Sequence, residues 1–262
     1  DAIQTSYMDR WKTASASGDF NGDGADEVVT VFDNTSGGIK ITIPLIGEDL
    51  KINELQEYID PTLNKEDYTR VRIIAGNFDN DPQDEFAICY SVPGQTMTVS
   101  LFKTDSDLNI ELLTTFKEIA FYDRHYDIAA GDVDGDGIDE IVMVKNRAVP
   151  FERSNSVNPP VFISTYDLNI LKYDPVETKL NLQHKSENIE LENRASSGDY
   201  FLNKTIINEM RVSCGDLNNN GQDEIVVGWS NYYSNSRKRY CAKKNIFGSC
   251  TEWAYTYYFV DM

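Results

Sequence analysis

Short apolar runs, set apart by polar segments rich in Gly, Asn and Asp, recur from one end of the chain to the other. Val28-Val29-Thr30-Val31, Phe86-Ala87-Ile88-Cys89, Ile141-Val142-Met143-Val144 and Ile225-Val226-Val227-Gly228 are the clearest, each rich in β-branched or aromatic residues and too short for a buried helix. Runs of this length and composition read as strands. Further strands are expected at 10–17, 39–44, 71–75, 96–102, 110–116, 126–130, 161–168, 179–184, 209–214 and 252–260, with a short one at 2–8. Turn-rich clusters at 34–38 and Pro93-Gly94 separate neighbouring strands. The polar stretch 48–68 reads as an irregular outer strand or a long connection, helix-like over 53–58 and broken by Pro61. Segments 146–160, 187–204 and 231–250 read as loop-like excursions, which leaves no fourth strand for the last unit unless 2–8 supplies it. The pattern predicts an all-β chain.

Each of the four clear strands follows an acidic loop in the same register. The loops span 19–27, 77–85, 132–140 and 216–224, each entered through a glycine (Gly18, Gly76, Gly131, Gly215). Their starts are 58 (77−19), 55 (132−77) and 84 (216−132) residues apart, so they are internal repeats. Oxygen donors at alternate positions of a tight loop suit a hard cation, above all calcium. Positions 1, 3, 5 and 9 offer side chains and position 7 its carbonyl. In loop one these are Asp19, Asn21, Asp23, Ala25 and Glu27; in loop two Asn77, Asp79, Asp81, Gln83 and Glu85. In loop three they are Asp132, Asp134, Asp136, Ile138 and Glu140; in loop four Asp216, Asn218, Asn220, Gln222 and Glu224. A helical EF-hand needs Glu at position 12, where loop three has Met143. The loops therefore join strand to strand. Carboxylate count ranks loop three first as a cation site, loop one next, and loop two weakened by Pro82. The competing reading is a set of Asx-rich turns that merely cap hairpins.

On these loops and their spacing, the sequence resembles the FG-GAP/VCBS repeat family, the calcium-loop blades of integrin α-subunit-like β-propellers. The resemblance implies one β-propeller domain across 1–262, built from four blades of four antiparallel strands, and up to four calcium ions. Four blades would form a small closed ring or an arc of a larger propeller. Loop two departs from the pattern at Asn77 and Pro82, and loop four at Asn218 and Asn220.

The net charge of −19 argues against nucleic acid as a partner, and no apolar run is long enough to span a membrane. Two N-x-Ser/Thr sequons, at Asn34 and Asn203, accord with a secreted or cell-surface protein. From Trp229 onward the balance reverses: five basic residues against Glu252 and Asp261 give +3, leaving −22 for the rest. Tyr232, Tyr233, Arg237, Lys238, Arg239, Tyr240, Lys243 and Lys244 would form a cationic, aromatic patch on the face opposite the calcium loops. It suits an acidic protein or glycan ligand, against the plainer reading of a solvated hairpin tip. Cys241 and Cys250 flank a short loop as a disulfide would, while Cys89 and Cys214 fall in strands and read as buried free thiols.

Catalytic constellations are thin. His125 and His184 lack metal-ligand spacing, and no nucleophile elbow or phosphate loop occurs. The sequence thus points to a secreted calcium-binding β-propeller serving as an adhesion or binding module, with calcium structural. Its rivals are part of a propeller-type polysaccharide lyase, or a scaffold segment of a larger secreted or toxin assembly.

Overall fold

The computed structural model describes residues 13–33, 38–46, 51–60, 70–92, 96–119, 126–151, 161–190, 205–233, 238–244 and 250–256; beyond Trp229 it describes the backbone alone. Among the described residues every regular element is a strand. The first sheet holds β1 (Ala14–Gly18), β2 (Glu27–Asp33), β3 (Ile39–Ile46) and β4 (Ile52–Asp60) in sequence order. The second repeats the arrangement with β5 (Val71–Gly76), β6 (Glu85–Val92), β7 (Thr96–Thr104) and β8 (Ile110–Ile119). The third does so with β9 (Tyr126–Gly131), β10 (Glu140–Phe151), β11 (Val161–Asp174) and β12 (Lys179–Glu190). Then come two antiparallel pairs, β13 (Thr205–Gly215) with β14 (Glu224–Tyr233), and β15 (Lys238–Lys244) with β16 (Cys250–Thr256).

The stretch 53–58 is strand, not helix-like. Residues 54–58 are paired along β3, and Tyr58 packs edge-on against Phe102 at 5.4 Å between ring centroids. Residues 146–151 of the excursion 146–160 continue β10, which stays in register with β11 out to Phe151 opposite Val161, while 152–160 lie outside the described residues. Likewise β12 extends to Glu190 and β13 begins at Thr205, so 187–204 is shorter as a connection than its polarity suggested. The segment 231–250 contains β15, and with β16 two strands follow β14. The pairing sets Cys241 opposite Trp253 and Cys250 opposite Lys244, so the two cysteines do lie on one hairpin. Their side chains, like those of Tyr232, Tyr233, Arg237, Lys238, Arg239, Tyr240, Lys243 and Lys244, fall outside the description, as do residues 2–8 and His125.

The sheets stack face to face. The first strand of each sheet packs against the first strand of the next, in the order β1, β5, β9, β13. Between sheets one and two lie Phe20, Val29, Val31, Ile41, Phe86 and Phe102. Phe86 stacks on Phe102 and meets Phe20 edge-on, geometries worth about 0.5–1.5 kcal/mol each beyond buried area. Between sheets two and three lie Phe78, Ala87, Cys89, Ile128, Ile141 and Met143; between three and β13–β14 lie Ala129, Val142, Val144, Met210 and Val212. The alternation along each second strand explains this. In β6, Phe86, Ile88 and Tyr90 face sheet one while Ala87 and Cys89 face sheet three.

Glycine before each loop leaves room for the next sheet. A Cβ on Gly76 would meet the Asp139 carboxylate and lie 3.1 Å from the Ala130 Cβ, whereas at Gly215 nothing described lies within 4 Å. Gly76→Ala is therefore expected to cost about 1–3 kcal/mol by overpacking, and Gly215→Ala close to nothing. Equal losses for the two in urea denaturation would contradict this packing.

Candidate metal centre

The four acidic loops are built alike because their side chains hydrogen-bond their own backbone. Asp19 takes the N–H groups of Gly22 and Asp23 on Oδ1 (2.8 and 3.0 Å) and of Gly24 on Oδ2 (2.9 Å). Asp132 does the same with Gly135, Asp136 and Gly137 at 2.7, 3.0 and 2.8 Å. Position 5 accepts from the position-7 N–H in every loop: Asp23 from Ala25, Asp81 from Gln83, Asp136 from Ile138, Asn220 from Gln222. Position 4 is left-handed throughout, with φ of 75° at Gly22, 69° at Asn80, 78° at Gly135 and 58° at Asn219, so only Gly and Asn occupy it.

Loop two shows why its departures come as a pair. Pro82 has no N–H to give the position-1 side chain. With that donor gone, position 1 is an amide: Asn77 accepts from Asn80 N at 2.7 Å and donates its own Nδ2 to the Asp81 carbonyl at 2.6 Å.

Position 9 closes each loop. Glu27, Glu85, Glu140 and Glu224 accept on Oε2 from the position-2 N–H of Phe20, Phe78, Val133 and Leu217, at 3.1, 2.9, 3.0 and 2.8 Å. The second oxygen turns into the loop, where it meets the Asn21 amide at 3.0 Å in loop one and the Asn218 amide in loop four. Glu85 and Glu140 are buried, each 1 % exposed. Burial pushes Glu85 up to about 8, with the charges of Asp79, Asp81 and Asp84 adding and the Phe78 N–H opposing. Burial likewise raises Glu27 and Glu140 above the usual carboxylate range.

Two trios bring their carboxylate oxygens within 4.8 Å of one another, Asp79 with Asp81 and Glu85, and Asp132 with Asp134 and Asp136. Such a trio of oxygens fits a hard divalent ion, whose charge would offset their mutual repulsion. In loop three, however, a cation of the chain's own reaches the cage. Lys172, next to the Leu171 that pairs with Ile141, places Nζ 2.7 Å from Asp134, 2.7 Å from Asp136 and 2.6 Å from Glu140 Oε1. That oxygen is buried and receives no well-directed hydrogen bond despite the proximity. Burial works against the ammonium's charge, but its hydrogen bonds to Asp134 and Asp136 and the nearby charge of Glu140 hold Lys172 protonated well above the ordinary lysine range. The same contact holds Asp136 below the usual aspartate range.

Carboxylate count alone ranks loop three first, but it does not include this competitor. A metal entering loop three must displace the ammonium. Lys172→Met is therefore expected to raise the calcium affinity of loop three by roughly tenfold or more, a removed competition of about 1.4 kcal/mol. Isothermal titration giving the same affinity with and without the amine would contradict it.

Position 8, absent from the donor pattern, is Asp in all four copies: Asp26, Asp84, Asp139 and Asp223. In loops two, three and four this residue binds the preceding loop. Asp84 N donates to the Asp19 carbonyl (2.9 Å) while Asp19 N donates to Asp84 Oδ2 (3.0 Å). Asp139 and Asn77 repeat the exchange at 2.8 and 3.1 Å, and Asp223 N donates to the Asp132 carbonyl at 2.8 Å. Burial raises Asp139 above the usual range, with the charges of Asp223, Asp132 and Asp84 adding. The loops thus form one chain, each clasped to the next.

Other candidates resolve simply. His184 is exposed and lies 2.7 Å from Ser186 Oγ. Cys89 is buried and Cys214 half-buried, both free; burial pushes Cys214 up to about 12 and Cys89 higher still, which leaves both unreactive thiols. No helix among the described residues is long and apolar enough to cross a membrane.

No protein-family model matches the sequence, and no curated protein matches it. Among solved structures the chain is similar to the rhamnogalacturonan lyase YesW, with a TM-score of 0.50 at 13% identity, over 83% of this chain and 40% of that one. It is similar to the exotype rhamnogalacturonan lyase YesX with a TM-score of 0.50 at 12% identity, over 83% of this chain and 38% of that one. At such identities the likeness is one of fold, and this chain spans about two-fifths of the length of the structures it matches.

Proposed function

We propose that this chain is a secreted, calcium-stabilised β-propeller module of the FG-GAP/VCBS type, which binds a protein or glycan ligand and uses calcium structurally. The fourfold recurrence of one loop geometry carries the reading. Each loop joins the first two strands of its unit, and three carboxylates converge at positions 3, 5 and 9 of loop two and at positions 1, 3 and 5 of loop three. Sheets stacked with their first strands side by side accord with blades around an axis. Calcium would sit at the trios of loops two and three, with Asn21 and Asn218 adding amide oxygens in loops one and four. Ligand binding would fall to the basic, aromatic segment 232–244. The test is capture of immobilised acidic polysaccharides and acidic proteins by the intact chain and by a variant with Arg237, Lys238 and Arg239 replaced by Ser. The reading expects loss of capture with an unchanged thermal response to calcium. Equal capture by both would refute the ligand assignment.

The fold likeness to rhamnogalacturonan lyases favours a second reading, a propeller portion of a polysaccharide lyase. Incubation with rhamnogalacturonan and calcium would then yield unsaturated products visible by ultraviolet absorbance, whereas a binding module yields none.

A further inference from the structure

The clasp between successive loops has an uncovered half at each end of the series. At the C-terminal end, Gly215 and Asp216 stand where Gly18 and Asp19, Gly76 and Asn77, and Gly131 and Asp132 each meet the Asp of the following loop. No described atom lies within 4 Å of the Gly215 Cβ position, and Asp216 is exposed. At the N-terminal end, Asp26 is the same aspartate as Asp84, Asp139 and Asp223, and it is exposed and clasps no other loop among the described residues.

The apolar faces tell the same story. Leu217 is 72% exposed, whereas its counterparts Phe20 and Phe78 are 0% and 1%. Val226 is 51% exposed, whereas Val29, Ala87 and Val142 at the same place in the repeat are all 0%. On the opposite side Val28 is 41% exposed, whereas its counterparts Phe86 and Ile141 are 0%. Three interfaces within the chain are built from these positions. The outer faces of the series are the two halves of a fourth.

We propose that these two ends are complementary, and that the face of Gly215, Asp216, Leu217 and Val226 on one molecule docks on the face of Asp26 and Val28 on a second copy. Asp26 would exchange hydrogen bonds with the Asp216 backbone as Asp84 does with Asp19, and Leu217 and Val226 would be covered by the sheet carrying Val28. A face that meets a different face of its partner is a head-to-tail contact, which closes into a ring or runs on as a filament according to the rotation it imposes. Two copies would assemble eight repeats, within the span of about four to eight blades that propellers use. The inference rests on the repeat packing and stands whether or not the loops hold calcium.

Sedimentation across a concentration series tests it with the wild type, Val28→Asp and Leu217→Asp. Wild type is expected to associate, and each variant alone to lose at least roughly tenfold in association constant. An equimolar mixture should recover a one-to-one dimer, because Leu217→Asp retains an intact N-terminal face and Val28→Asp an intact C-terminal one. Recovery in the mixture rules out misfolding as the cause of the losses. A wild type that stays monomeric at all concentrations, as it would if its own loop one covered loop four, overturns the proposal. So does a mixture that fails to associate, or a variant that associates as well as wild type.

Discussion

Calcium added to the chelated protein is expected to raise the melting temperature by about 10–20 °C. A ligand bound only by the folded state stabilises it by RT ln(1 + [L]/Kd), about 2.7 kcal/mol for a site with Kd near 10 μM at about 1 mM calcium. Two such sites give about 5 kcal/mol, a large share of a typical stability of about 5–15 kcal/mol, and each kcal/mol moves a chain of this size by roughly 2–4 °C. The expectation is structural because the loops do more than cap hairpins. Their position-8 aspartates clasp loop to loop, so opening one strains the packing of two sheets. Loop two should dominate the response, since Asp79, Asp81 and Glu85 converge without an ammonium among them, whereas Lys172 already neutralises part of loop three. Differential scanning calorimetry checks this, and identical melting in chelator and in millimolar calcium would refute a structural role for the ion.

In chelator, stability should fall as pH rises from about 5 to about 8, the reverse of what paired carboxylates produce. Glu85 is raised from 4.5 to about 8 by burial, so across this window the folded protein holds a proton that the unfolded chain has released. Unfolding free energy therefore decreases with pH. The contribution is complete below about 4.5 and lost as pH passes about 8, and at about 1.4 kcal/mol per unit the change between pH 5 and pH 8 amounts to about 4 kcal/mol. Glu27, Glu140 and Asp139 shift in the same direction. Asp136 and Asp216, held below the ordinary aspartate range, titrate beneath the window and leave its sign alone. Saturating calcium should flatten or reverse the slope, because the ion takes the proton's place, and its affinity at loop two should rise with pH. Glu85→Gln should remove most of the slope in chelator. A melting temperature that climbs from pH 5 to pH 8 without calcium would contradict the burial of this carboxyl.

The loops were legible because their register is local. Nine consecutive residues carry both the turn chemistry and the donors, and four copies in one chain exclude chance. The first two strands of each unit followed from the apolar runs beside them. Strand pairing at a distance was harder to read. Residues 53–58 look like helix formers by composition, yet Tyr58 finds Phe102 only through tertiary packing. Asn146 and Arg147 read as loop, yet the β10–β11 ladder carries them beyond the point where the core ends. Lys172 was invisible in the loop because it comes from a strand thirty-odd residues on, and only the pairing of Ile141 with Leu171 shows that it faces the cage. Position 8 was a different kind of miss. Its identity in all four copies was in plain view, and its role was hidden because the partner belongs to the neighbouring repeat.

The central claim, that these loops are metal sites, is tested most directly by anomalous scattering from crystals grown in millimolar calcium. The account predicts a peak coordinated by Asp79, Asp81 and Glu85 in the wild type. It predicts a second peak among Asp132, Asp134, Asp136 and Glu140 that strengthens in Lys172→Met. Absence of anomalous density in both loops of that variant at saturating calcium would contradict the claim and leave the loops as hydrogen-bonded turns.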